Sequence, residues 1–230
     1  MTDVVLYAVF PYAAVATAVV VGIYRYRSDR FSFTSRSTQF LENRLLFFGS
    51  VPWHYAIGTI LLAHVLAALC PETWAALLGS PVRLIVLEGT GLALGAAATA
   101  GIAVLAVRRV TDSRLAAITG PLDWIVVAAL LLQAASGVYV AWTYRWGAAW
   151  YLHTAVPWFG SLVRLAPEPA YVSVLPFAAK LHLLNAFLLV ALFPFTRLVH
   201  LVSVPLGHLR RPPQQVVWNR NERHVPGEVK

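Results

Sequence analysis

The sequence is short of charged residues and has a single cysteine, and both shortages restrict the class of protein. Charged residues occupy 12% of the 230 positions and hydrophobic residues 59%, with a mean hydropathy of +0.67. A soluble domain carries roughly twice that charged fraction. Cys70 has no second cysteine with which to form an internal disulfide. Apolar stretches of about 20 residues, long enough to cross about 30 Å of hydrocarbon, recur along the chain. We therefore predict an integral membrane protein rather than a soluble protein with a large core.

The apolar stretches predict an all-α bundle of five transmembrane helices. The predicted spans are approximately Val4–Tyr24, Val51–Leu69, Val82–Val107, Pro121–Trp142 and Val174–Val204. They form one predicted membrane domain over residues 1–207, followed by a polar tail, residues 208–230, that is expected to stay disordered or to dock on a partner. The first span is not expected to be a cleaved signal peptide, because no basic residue precedes it and no small-residue cleavage pattern follows.

Basic residues are concentrated in alternate loops, which predicts the orientation of the bundle. The first loop holds Arg25, Arg27, Arg30, Arg36 and Arg44, the third holds Arg108, Arg109 and Arg114, and the tail holds Arg210, Arg211, Arg220, Arg223 and Lys230. The positive-inside rule then places the N-terminus outside and the C-terminus in the cytoplasm. The net charge of +8 follows this topology, so we expect a membrane partner and no nucleic acid.

Four histidines lie in the apolar stretches, His54 and His64 in the second span and His182 and His200 in the fifth. An ionisable residue inside a bilayer is costly and usually marks a ligand, a proton relay or a pathway. Because the two spans run in opposite directions, His54 matches His200 in depth, and His64 matches His182. The 18 residues from His182 to His200 make five helical turns, which predicts one shared helix face.

Two histidines at each depth suit a haem better than a bare metal ion. Structural zinc takes four protein ligands and catalytic zinc takes three plus water, and the spans offer no nearby carboxylate or cysteine. A haem brings its own four nitrogens and needs two axial ligands, so we predict two b-type haems, without the C-x-x-C-H motif of covalent attachment. Three alternatives remain: histidines that only hydrogen-bond between helices, a transporter that uses them for protons or metal, and a membrane anchor without cofactor.

Three charged residues near the spans are further candidates. Arg197 lies one turn before His200 and is predicted to contact a haem propionate, or to reach lipid phosphate. Asp123 and Glu88 are acidic residues at or near the fourth and third spans, and Glu88 is expected to make an interfacial or interhelical hydrogen bond or else to carry a quinol proton outward.

Several motifs resemble the gamma subunit of membrane-bound respiratory nitrate reductase, a five-span cytochrome b. The matching stretches are Phe10-Pro11-Tyr12, Gly49-Ser50-x-x-x-His54, Lys180-Leu181-His182 and Phe193-Pro-Phe-Thr-Arg-Leu-Val-His200-Leu-Val-Ser-Val-Pro205. The last stretch is the most specific, both histidine intervals agree with the family pattern, and the resemblance extends over nearly the whole chain.

The resemblance implies a multi-pass subunit of the prokaryotic inner membrane that anchors an iron–sulfur subunit and a molybdenum catalytic subunit. It implies that menaquinol or ubiquinol is oxidised near the outer face, that electrons pass through two b-type haems, and that nitrate is reduced in the catalytic partner. Carried over residue by residue, His64 and His182 bind the outer haem iron, and His54 and His200 the inner one. A dihaem subunit of a nitrite, selenate or chlorate oxidoreductase remains the alternative, since the partner determines the substrate.

The expected quinol site departs from the family pattern at two positions. Arg83 stands where the family has a lysine at the start of the third span, and Ala63 stands before His64, where the family tends to have glycine. An arginine donates hydrogen bonds to a quinone oxygen but does not readily deprotonate. Arg83 and Ala63 are therefore the candidate quinol contacts, with an interfacial anchor as the alternative role of Arg83.

Overall fold

The computed structural model describes residues 1–29 and 44–202, and within them most of the chain is helical and none of it forms a strand. Five helices in these two ranges are long and apolar enough to cross a membrane. They are α1 (Thr2–Ser28), α2 (Arg44–Leu69), α4 (Pro81–Thr111), α6 (Pro121–Thr143) and α10 (Phe177–Leu192), the last extended by a 3₁₀ turn at Phe193–Phe195. The connections hold the short helices α3 (Pro71–Leu78), α5 (Ser113–Ala117), α7 (Gly147–Trp150), α8 (Ala155–Val163) and α9 (Ala170–Ser173).

The all-α bundle of five candidate membrane helices is thus confirmed. The predicted orientation, with the N-terminus outside, stays a prediction. The predicted tail, residues 208–230, and the first-loop residues Arg30 and Arg36 lie outside the described residues.

Proline stands at the start of three helices, α3, α4 and α6. Pro71, Pro81 and Pro121 each stand in the first turn of their helix, where the missing N–H has no intrahelical partner to lose. The helix starting at Pro121 begins where the sequence predicts it. Helix α2 begins seven residues before the predicted Val51 and continues through Pro52, so this interior proline does not end the helix.

The fifth span is shorter than predicted. Helix α10 ends at Leu192, and two 3₁₀ turns follow, the second over Arg197–Leu201. Pro194 has no N–H with which to continue the α-helical ladder, and Thr196 has an extended backbone, with φ −126° and ψ −179°. The prediction that His182 and His200 share one face of a continuous helix was therefore wrong.

The membrane helices pack in the order α2, α4, α6, α10 and α1. Helices α2 and α4 approach most closely at Gly49 and Gly101, where a Cβ built on Gly101 would lie 2.8 Å from the Gly49 carbonyl oxygen and 2.9 Å from the Trp53 nitrogen. Small residues let the backbones of membrane helices meet in this way. The contact fixes α2, which carries His54 and His64, against the rest of the bundle.

The long connection between α6 and α10 folds back onto α1. Trp158 of α8 is 2% exposed, and its indole N–H donates to the Tyr7 carbonyl oxygen at 2.9 Å. The Tyr12 hydroxyl donates to the Leu162 carbonyl oxygen at 2.8 Å. These bonds hold the connection, which also contains Tyr151, close to the helix ends.

Candidate functional site

The ring of His54, on α2, lies close to the ring of His200, in the 3₁₀ turn that follows α10. Helices α2 and α10 are not neighbours in the packing order. The two ring centroids lie 6.1 Å apart, with an angle of 71° between the ring planes. The Nδ1 of His54 lies 2.8 Å from the Ser50 carbonyl oxygen, and that of His200 lies 2.7 Å from the Arg197 carbonyl oxygen. A carbonyl only accepts hydrogen bonds, so each Nδ1 carries the proton and each Nε2 keeps its lone pair.

The spacing of this pair suits two axial ligands of one metal centre. If two imidazoles were to bind one iron from opposite sides, each metal–nitrogen bond would be about 2 Å long. Adding the distance from each nitrogen to its ring centre puts the two ring centroids roughly 6 Å apart. The measured 6.1 Å agrees with that value. Metal-ligating histidines also donate their other ring N–H to a carbonyl or carboxylate, which fixes the ring orientation. His54 and His200 therefore have both the ring spacing and the Nδ1 hydrogen bonds that bis-histidine ligation needs.

His64 has the same local hydrogen bond but a different ring neighbour. Its Nδ1 donates to the Ile60 carbonyl oxygen at 2.8 Å, and its ring stands 5.5 Å from the ring of Tyr151, centroid to centroid. The Tyr151 hydroxyl donates to the His64 carbonyl oxygen at 3.4 Å. Burial raises the pKa of this phenol, so it remains a donor well above neutral pH. Tyr151 thus lies against His64, a contact that the sequence analysis missed because 87 residues separate the two.

His182 is held by side chains of α6 rather than by its own helix. Its Nδ1 lies 3.0 Å from the Ser136 Oγ, and its Nε2 lies 3.2 Å from the Gln133 Nε2. The Asn185 amide donates to the Gln133 Oε1 at 2.7 Å, so the Gln133 amide nitrogen is the atom that faces His182. A ligated iron would take the place of that amide at Nε2.

Arg197 finds its counter-charge within the chain. Its Nε lies 3.0 Å from the Asp123 Oδ1, and its Nη2 donates to Oδ2 at 3.3 Å. The side chains are 31% and 17% exposed, respectively. Asp123 therefore supplies a counter-charge for Arg197, while the contact of Arg197 with a haem propionate stays a prediction.

The two candidate quinol residues differ in what they contact. Arg83 donates from Nε to the Leu77 carbonyl oxygen at 2.8 Å and from Nη2 to the Ala76 carbonyl oxygen at 3.1 Å. These bonds satisfy carbonyls at the end of α3, while both predicted roles of Arg83, quinol contact and interfacial anchor, stay predictions. Ala63 is half-buried beside His64 and has no polar side-chain atom.

Glu88, on α4, hydrogen-bonds to the connection that follows α6. Its Oε1 accepts the backbone N–H of Ala148 at 2.8 Å, which is the interfacial hydrogen bond expected of this residue. The carboxylate lies at the N-terminus of α7, where a negative charge is stabilised by the helix dipole. Glu88 therefore holds the segment that leads into Tyr151.

Comparison with known proteins identifies the family. The family model described as nitrate reductase gamma subunit matches residues 3–219. The nitrate reductase gamma chain of Bacillus subtilis is 32% identical, over 92% of this chain and 96% of that protein. The respiratory nitrate reductase 1 gamma chain of Escherichia coli is 27% identical, over 90% of this chain and 94% of that protein. The nitrate reductase-like protein NarX of Mycobacterium tuberculosis is 31% identical over 98% of this chain but only 35% of its own length. The chain belongs to the nitrate reductase gamma subunit family.

Proposed function

We propose that the chain binds two b-type haems and delivers electrons from quinol to the soluble subunits of a nitrate reductase. The gamma subunit is a membrane subunit of this oxidoreductase, and catalysis at nitrate takes place in a partner subunit. The single observation that carries the haem proposal is the 6.1 Å separation of the His54 and His200 rings, with Nδ1 of each ring bonded to a carbonyl oxygen.

In this proposal His54 and His200 hold one haem, and His64 and His182 hold the other. When bound, the two haems supply one-electron carriers between quinol and an iron–sulfur partner. The protein contributes orientation: the carbonyls of Ser50, Ile60 and Arg197 accept Nδ1–H bonds, which leave Nε2 of three histidines as the ligating atom. His182 becomes a ligand by exchanging the Gln133 amide for iron at Nε2.

The quinol site is proposed beside His64. The Tyr151 ring lies against the His64 ring, and Glu88 bonds the segment before Tyr151. A guanidinium has five N–H donors, so Arg83 can hold the end of α3 through two of them and donate to a quinol oxygen through another. In this proposal Ala63 lies beside His64 and adds no polar contact to the quinol site.

The remaining elements of the proposal concern orientation and partners. With the N-terminus outside, the His64 and His182 pair lies toward the outer face and the His54 and His200 pair toward the cytoplasm. The proposed partners are an iron–sulfur subunit and a molybdenum catalytic subunit, contacted through the tail, residues 208–230. The proposed donor is menaquinol or ubiquinol.

An anaerobic reduction experiment on the purified complex tests this function. We expect quinol to reduce the b-type α-band and nitrate to reoxidise it, because the chain would link the two reactions. As a control, dithionite should reduce the same band in full. If dithionite reduces the band but quinol leaves it unchanged, the proposed electron path is wrong.

A further inference from the structure

We propose that Ser136 is a positioning residue that holds the N–H of His182 and thereby raises the basicity of this ligand. The inference rests on the proposed haem-binding function and adds a residue of α6 to it. Ser136 is 8% exposed, and its Oγ lies 3.0 Å from the His182 Nδ1, across 46 residues of sequence.

The direction of the hydrogen bond follows from the neighbours of Ser136. Its hydroxyl donates to the Gln133 carbonyl oxygen at 3.2 Å. A hydroxyl has one proton and two lone pairs, so the Ser136 oxygen is left to accept from His182 Nδ1. Each further link in such a chain of hydrogen bonds polarises the others.

His182 differs from the other three histidines in this respect. His54, His64 and His200 donate Nδ1–H to a backbone carbonyl three or four residues earlier in their own segment. His182 donates to a side chain of another helix, and its ring edge lies against Gly137, where an added Cβ would approach Cε1 to 3.0 Å. The orientation of this one ring is therefore set by helix α6, and one substitution can remove its acceptor.

The consequence for a bound haem is a change in potential. Iron ligation uses Nε2, so Nδ1–H needs its own acceptor in the loaded protein as well. A good acceptor at Nδ1 raises the basicity of the ligating nitrogen, which stabilises oxidised iron more than reduced iron. Removing the Ser136 oxygen should therefore raise the midpoint potential of the haem bound by His182.

The chain offers a matched control at Ser50. The Ser50 Oγ lies 3.1 Å from the His54 Nδ1, nearly the distance of the Ser136 contact, but the Ser50 carbonyl oxygen also accepts from that nitrogen, at 2.8 Å. Ser50→Ala therefore leaves His54 with an acceptor, whereas Ser136→Ala takes away the acceptor of His182. Ser136→Thr keeps a hydroxyl at the same position.

The experiment is a redox titration of the b-type bands of the purified complex, with low-spin haem electron paramagnetic resonance as a second readout. Ser136→Ala should raise the midpoint potential of one band. The expected rise is at most about 59 mV, which for one electron corresponds to a tenfold change in the equilibrium constant for reduction. The shifted band should be the one that His182→Leu removes. Ser136→Thr and Ser50→Ala should titrate like the unsubstituted complex.

The outcomes separate this inference from the function on which it rests. If both haems are present and Ser136→Ala titrates like Ser50→Ala, the inference is overturned while the function stands. Loss of one haem in Ser136→Ala but not in Ser136→Thr supports it, whereas equal loss in both assigns the effect to packing and overturns it. Absence of b-type haem from the unsubstituted complex instead refutes the function itself.

Discussion

Gly101→Ala should destabilise the bundle at the contact between α2 and α4. The new Cβ would lie 2.8 Å from the Gly49 carbonyl oxygen and 2.9 Å from the Trp53 nitrogen. Both are backbone atoms, so neither can move away by a side-chain rotation, and the two helices must separate. Overpacking of this kind costs about 1–3 kcal/mol.

Gly91→Ala is the matched control on the same helix, because a Cβ at Gly91 meets nothing within 4 Å. Both substitutions gain the same intrinsic preference of alanine for helix, so their difference isolates the packing cost. The assay is thermal unfolding of the purified complex, together with its haem content. We expect a lower midpoint by several degrees for Gly101→Ala, with loss of the haem that His54 would bind. Equal stability of the two variants would refute the reasoning.

Three further predictions concern the ends of the helices and the proposed electron path. Asp123→Asn should destabilise the complex by roughly 1–3 kcal/mol in denaturant unfolding, between the values for exposed and buried ion pairs, because it removes the carboxylate that pairs with Arg197. Asp112 is the N-cap of α5 and accepts from the Arg114 and Leu115 N–H groups; Asp112→Asn keeps a good N-cap residue and should be nearly neutral, and equal effects would contradict this. Tyr151→Ala should raise the apparent KM for quinol more than Tyr151→Phe does, because the ring contacts His64 while the hydroxyl bond is long; identical kinetics of the two variants would count against the proposed site. Quinol oxidation by the complex in liposomes should generate a membrane potential, recorded with a voltage-sensitive dye, since protons would be released outside while electrons move inward; turnover without a potential would contradict the predicted orientation.

The five spans could be predicted from the sequence because bilayer thickness dictates their length. The end of the fifth span, at Pro194, could not be predicted in this way. Apolar residues continue past it, and only the backbone shows that Thr196 is extended and that His200 lies in a 3₁₀ turn. The depth match of His54 with His200 nevertheless agrees with the observed ring contact, since it depends on the direction of the helices more than on continuous helical geometry.

Contacts between distant segments escaped the sequence analysis. Tyr151 reaches His64 only because the connection after α6 folds back, and Ser136 and Gln133 reach His182 only because α6 packs against α10. No periodicity or motif marks these residues. The counter-charge of Arg197 was expected from a propionate, whereas Asp123 supplies one from α6. Such pairings depend on how each helix is rotated about its own axis. The hydrophobic pattern of the sequence restricts that rotation only loosely.

The stoichiometry of non-covalent haem b in the purified complex tests the central claim most directly. The account predicts two b-type haems for each copy of this chain, with one retained when either His200 or His64 is replaced by leucine, and with a different potential for the haem that remains in each variant. A single haem in the unsubstituted complex, or two haems that survive both substitutions, would contradict the account.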